Sequence, residues 1–152
     1  MDTVDHVSAV MMDVLKARLG DRVDGYRFPP PVFTEMEGEF VALDLDAGVL
    51  TARFPVRERY LNPYGTLQGG IIAAAVDNTL GPLSLLVAPP NVTRRLEMKY
   101  SRAVTMDLGY ILVNAELLER KDRWLSFEAE VCTAEGVRLA RAHARHWILD
   151  GW

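Results

Sequence analysis

The sequence predicts an α+β domain in which one antiparallel sheet wraps around one central helix. Three observations carry that prediction. A single stretch, beginning near Gly69, is a run of strong helix formers that is apolar on almost every side, from Ile71 to Val76. Six other segments show the full or partial alternation of half-buried strands, and polar turns separate the last four. The order is helix, two strands, central helix, four strands. The one strongly apolar helix can then be buried only against the sheet that the strands form.

Taken in order, residues 3–19 place Val4, Val7, Met11, Val14, Leu15 and Leu19 at three- and four-residue spacings. Asp2, Thr3 and Asp5 stand near the start and Gly20 just past the end, so the segment reads as an amphipathic helix. Residues 20–31 hold three consecutive prolines and further glycine, which predicts a linker and not a packed element. Residues 32–42 and 48–56 alternate in part around the turn at 44–48, as in an antiparallel hairpin. Residues 57–60 lead into a loop marked by Asn62-Pro63 and Gly65. The loop passes through Gly69-Gly70 into the apolar helix, which Gly81-Pro82 is expected to close. After Pro89-Pro90, strands are predicted over 91–101, 109–118, 125–133 and 137–149, with turns at 105–109, 120–123 and 134–136. There is no internal repeat.

A chain of 152 residues is enough for one sizeable core, so residues 1–152 are expected to form one domain. Charged residues are 25% and hydrophobic ones 49%, which is globular composition; acids outnumber bases 21 to 17, so no polyanion-binding surface or nucleic-acid partner is expected. The single Cys132 cannot form an internal disulfide, and no basic-then-apolar leader opens the chain. A reducing, cytoplasmic setting is the expectation. No uninterrupted apolar run reaches the roughly 18 residues of a membrane span, so no membrane association is expected.

Asp77 is the one acid in the apolar helix. A carboxylate there costs several kcal/mol unless it is partnered or solvated in a cleft. The start of the same helix is chemically different, because its first N–H groups lack intrahelical partners and carry partial positive charge. A helix start that attracts an oxyanion, with an acid two turns on, suits acyl-group chemistry.

This stretch resembles the active-site segment of the hotdog-fold acyl-CoA thioesterases of the phenylacetyl-CoA type. Their pattern is Asn, then Gly, then His-Gly-Gly, then Asp eight residues after the first Gly of the pair. Asn62, Gly65, Gly69-Gly70 and Asp77 match it, and Gln68 stands where the family usually has His. With weaker motifs the resemblance runs over roughly residues 30–149. It implies a hotdog fold with an added N-terminal helix, and hydrolysis of acyl-CoA or a related thioester.

Under that resemblance Asp77 is the catalytic carboxylate, either a general base on water or a nucleophile giving a mixed anhydride. The Gly69 N–H would bind the thioester oxygen, and Asn62 would help position water or thioester. Gln68 can hydrogen-bond in place of the His but carries no proton at neutral pH, which argues against hydratase and dehydratase relatives. Thr93 lies where some relatives have a hydroxyl that orders the same water. Read alone, Asn62 is equally a turn residue before Pro63, and Thr93 an ordinary strand threonine. His143 and His146, three apart on a predicted strand, face opposite sides and make a poor metal pair, so no metal site is expected. Coenzyme A would enter as part of the substrate and no separate cofactor is implied. Its phosphates call for Arg or Lys, and Arg94, Arg95, Arg120, Lys121 and Arg123 are the candidates. Family sites are completed between subunits, so a homodimer or a dimer of dimers (a homotetramer) is implied. The competing reading is a hotdog protein that binds an acyl-CoA without hydrolysing it.

Overall fold

The computed structural model describes residues 2–151. Helix α1 (Thr3–Leu19) carries Val7, Met11 and Leu15 on one buried stripe, four residues apart. It stops at Gly20, whose φ of 57° an L side chain would resist and whose N–H returns to the Lys16 carbonyl. A six-residue 3-10 segment (Gly20–Gly25) follows, and then a short helix α2 (Pro31–Glu35).

That helix corrects two expectations. The third proline, Pro31, opens it at the first turn, where a missing N–H and a fixed φ are no handicap. Strand pairing therefore starts at Glu39 and not at residue 32. The preceding segment is not a bare linker either. Phe28 stacks on Phe40 at 5.8 Å between ring centroids, Phe33 lies 4.1 Å from Phe40, and Phe33 meets Phe54 edge-on at 5.5 Å. Burying a side chain of this size contributes about 1.5–3 kcal/mol, so the aromatic cluster holds the segment after α1 against the sheet.

The sheet has six strands in the order β1-β2-β4-β5-β6-β3. They are β1 (Glu39–Asp44), β2 (Val49–Pro55), β3 (Asn91–Tyr100), β4 (Tyr110–Lys121), β5 (Trp124–Cys132) and β6 (Arg138–Ile148). Every neighbouring pair is antiparallel. Alternate residues face one core: Leu50, Ala52 and Phe54 on β2, Ile111, Val113 and Ala115 on β4, Leu125, Phe127, Ala129 and Val131 on β5. Many inward positions are alanine, including Ala140, Ala142 and Ala144 on β6. Small side chains let a helix lie close, and α3 (Gly69–Val87) packs across β2, β3, β4 and β5 with Ala75, Val76, Leu80 and Leu83 buried.

Gly81-Pro82 does not close α3, which continues to Val87. Pro82 has no N–H for the carbonyl one turn back, and its own neighbourhood is patched by the Ser84 hydroxyl, which donates to the Gly81 carbonyl at 2.7 Å. Burial of Pro82, Leu83 and Leu86 under the sheet outweighs the local preference. The helix ends where Pro89 and Pro90 cannot continue it. By length and composition this helix could cross a membrane; half of it is buried inside the protein, and Asp77 interrupts it.

Strand β3 is an edge of the sheet and is largely exposed, with Val92 at 40% and Tyr100 at 49%. Its alternation shifts midway. Thr93 pairs with His146 and Arg95 with Arg145, so Arg94 is one residue too many and forms a bulge. Strict alternation back from Leu96 and Met98 would turn Arg94 inward and Thr93 outward. The bulge instead keeps both arginines off the inner face and leaves Thr93 facing α3.

Candidate active site

Asp77 sits half-buried on α3, facing the inner side of β3. The Thr93 hydroxyl donates to Asp77 Oδ1 at 3.0 Å. Behind Thr93, His146 is 1% exposed, and its Nε2 lies 3.4 Å from the same hydroxyl oxygen. The other ring nitrogen, Nδ1, is 2.8 Å from Asn91 Oδ1. Asn91 is anchored in turn, since its Nδ2 donates to the Pro89 carbonyl at 2.9 Å and reaches the Ser84 carbonyl at 3.4 Å. A continuous polar row, Asn91–His146–Thr93–Asp77, thus crosses from β3 to β6, back to β3 and on to α3. Burial pushes the His146 imidazole below its ordinary value, and the Asp77 charge opposes that shift without cancelling it.

The row opens on a cleft of about 460 Å³. Asp77, Thr93 and His146 form part of one wall. The facing wall comes from the N-terminal segment, with Leu15, Leu19, Val23 and Phe28. An apolar chamber with a carboxylate and a hydroxyl on its rim can seat a hydrocarbon group while presenting water to its polar end.

Gly69 lies elsewhere. It is the first residue of α3, eight residues from Asp77, and the rise of a helix puts the two about 12 Å apart along its axis. Gly69 faces a second, shallower cleft with Tyr100 and Arg102. The Tyr100 hydroxyl donates to the Gly69 carbonyl at 2.6 Å, and a Cβ on Gly69 would sit 3.2 Å from the Tyr100 ring. Glycine is therefore what the packing of strand on helix start accommodates here. Asn62 is absorbed by its own loop: Oδ1 accepts from the N–H groups of Tyr64 and Thr66 at 2.9 and 3.1 Å, and Nδ2 donates to the Thr66 hydroxyl at 2.9 Å. Gln68 occupies the N-cap position with an exposed side chain that makes no capping bond. Of the five residues singled out in the sequence for the chemistry, Thr93 and Asp77 meet near the middle of α3; Asn62, Gln68 and Gly69 lie at or before its start.

The candidate phosphate-binding cations are scattered. Arg95 pairs with Glu97 at 2.7 Å, and Arg94 is the exposed bulge residue. Arg123 donates to the Ile148 carbonyl through Nη2 at 2.6 Å and lies 4.9 Å over the Trp147 ring, tying the start of β5 to the end of β6. Arg120 and Lys121 are exposed at the end of β4. None of the five lines either cleft, whereas Arg27 lines the Asp77 cleft and Arg102 the Gly69 cleft. His143 faces solvent and His146 the core, as their spacing predicted.

No family model matches the chain. A curated protein of Saccharolobus solfataricus named "Putative esterase SSO2140" is 28% identical over 109 residues, which is 70% of this chain and 76% of that protein. Among solved structures, a Ralstonia eutropha protein described as a "putative thioesterase, phenylacetic acid degradation-related protein" superposes with a TM-score of 0.75 at 23% identity, over 89% of this chain and 98% of that one. The chain has the hotdog fold. A Streptococcus mutans protein solved with bound acetyl CoA shares the hotdog arrangement at a TM-score of 0.66 and 19% identity, over 72% of this chain and 88% of that one. The wrapped helix of this hotdog is α3, which meets β3 through Gly69 at its start and through Asp77 near its middle.

Asn91, His146 and Tyr100 were not singled out as site residues in the sequence. A signal existed for His146, which continues the inward row Ala140, Ala142, Ala144 at period two, where a buried imidazole needs polar partners. Nothing local identified those partners.

Proposed function

We propose that this hotdog protein hydrolyses acyl thioesters, acyl-CoA foremost. The observation that supports it is the Asp77–Thr93 pair, 3.0 Å apart on the wall of an apolar cleft. A water molecule hydrogen-bonded to both oxygens is placed for attack on a carbonyl whose acyl tail fills the cleft. Asp77 accepts a proton from that water as the oxygen bonds to the carbonyl carbon. The carbonyl oxygen becomes an oxyanion, the C–S bond then breaks, and the proton on Asp77 passes to the departing thiolate. The S. mutans relative's acetyl CoA and the esterase and thioesterase names of the other relatives favour the same substrate class.

The oxyanion needs donors, and the first-turn N–H of Gly69 is the candidate, worth about 2.7–4 kcal/mol for such a donor in a transition state. About 12 Å separates it from Asp77 within one chain, too far for both to act on one thioester. We therefore assign the working unit to at least a homodimer, in which the Gly69 helix start of one copy meets Asp77 of the other. The exposed β3 edge supplies unpaired backbone for such an association. A panel of acyl-CoA substrates assayed for free thiol tests the reading. Turnover of one or more supports it, and tight binding of an acyl-CoA without thiol release replaces it with the binding-protein alternative.

A further inference from the structure

We propose that His146 is a positioning residue: it offers the Thr93 hydroxyl a second acceptor and so lets that hydroxyl follow the protonation of Asp77. The inference rests on the hydrolase reading for its kinetic consequence, while the hydrogen-bond switch itself stands on geometry.

The direction of each bond follows from the donors available. Asn91 Nδ2 faces two carbonyls, Pro89 and Ser84, so its amide orientation is fixed and its Oδ1 is the atom presented to the imidazole. An amide oxygen only accepts, hence His146 carries its proton on Nδ1 and leaves Nε2 as a lone pair. Thr93 has one hydroxyl hydrogen and two acceptors within reach, Asp77 Oδ1 at 3.0 Å and His146 Nε2 at 3.4 Å. With Asp77 ionised, the shorter, charge-assisted bond takes the hydrogen. Once Asp77 has accepted a proton from water, its new O–H can donate to the Thr93 oxygen, and the Thr93 hydrogen turns to Nε2. No covalent bond changes at the histidine, which stays neutral throughout. Without Nε2 the hydroxyl would keep Asp77 as its one side-chain partner, and its hydrogen would stay on the neutral carboxyl or turn to solvent instead of to a fixed acceptor.

The surroundings fit a residue that must not move. His146 is buried, and the Phe127 ring lies 4.8 Å from the imidazole. The inward positions before it on β6 are alanines, so packing against α3 there is met by small apolar side chains, and an imidazole stands out.

A double-mutant cycle with an NMR readout tests the proposal. In thiol-release assays His146→Phe and Thr93→Val should each lower kcat about tenfold with KM little changed, and the double variant should be no slower than Thr93→Val alone. His146→Gln, which keeps an acceptor, should recover most of the rate. Losses that multiply to about a hundredfold in the double variant, or a His146→Phe enzyme with wild-type kcat, would overturn the proposal. Independently of turnover, ring 15N spectra of the full-length protein should show His146 as the Nδ1–H tautomer. Its Nε2 resonance should shift on Asp77→Asn, and that shift should vanish in the Thr93→Val background. An Nε2–H tautomer, or an Nε2 signal blind to Asp77→Asn, refutes the switch even where hydrolysis is real. Absence of turnover in the wild type with the expected spectra would instead reject the hydrolase reading alone.

Discussion

Replacing Asp77 with Asn separates the charge of the side chain from its shape. The amide has almost the same volume and can donate from Nδ2 to the Thr93 hydroxyl oxygen, so the 3.0 Å contact survives with a neutral partner while the Thr93 hydrogen turns to His146 Nε2. In a partly exposed hydrogen bond, exchanging a charged partner for a neutral one costs roughly 1 kcal/mol. For a chain of 152 residues that corresponds to a fall in Tm of about 2–4 °C. The rate responds on another scale. An amide cannot accept a proton from water, and losing a positioned base lowers kcat by at least about 10²-fold, or about 2.7 kcal/mol of barrier. Thiol release at saturating acyl-CoA and a thermal melt of the same preparation measure the two effects side by side. Wild-type kcat in the Asn variant would refute the assignment of Asp77 as base. So would a loss of more than about 10 °C in Tm accompanying the fall in rate, because Asp77 would then be holding the fold.

The remaining predictions address the other parts of the site. Gly69→Ala would bring a Cβ to 3.2 Å from the Tyr100 ring and disturb the 2.6 Å bond to the Gly69 carbonyl; we expect at least a tenfold drop in turnover with a folded circular-dichroism spectrum, and unchanged turnover would remove the helix start from the mechanism. Burial holds the His146 imidazole below its ordinary value of 6.5, so the unfolded chain binds that proton more readily than the folded one. Stability contributed by the neutral ring is present above about pH 6.5 and is lost as pH falls toward the depressed value, so melting temperature should decline on that side and His146→Phe should flatten the decline. Light scattering at micromolar concentration should give a mass above the 17.0 kDa of one chain; a clean monomer would contradict a site shared between copies.

What could be read from the sequence divides along a physical line. Periodic burial is local, and it located α1, the start of α3 and the strands after Pro90 to within a few residues. Exceptions came where a tertiary contact overrode a local preference. Pro31 opens a helix because Phe33 has an aromatic cluster to enter, and Pro82 stays inside one because the sheet covers it. Asp77 was legible because a charge in an apolar helix demands a reason. Thr93 was nameable only through the family resemblance, since its inward orientation depends on the bulge at Arg94 that no alternation rule foretells. His146 lies 53 residues from Thr93 and 55 from Asn91, and contacts across that separation leave no mark on either neighbourhood.

The two walls of the Asp77 cleft have different origins. The groups that would break the bond belong to α3, β3 and β6, fixed by the sheet and by the wrapped helix. Much of the width of the chamber is set by residues 15–30, a stretch that contributes no strand and is attached through α1 and a few aromatic contacts. Reactivity and fit are therefore encoded in separable lengths of chain. Substitution of Leu19 and Val23, which line the chamber and are only partly buried, would resize it while leaving the polar row intact, and on the proposed hydrolase reading drift at such positions would change which acyl group fits without touching Asp77.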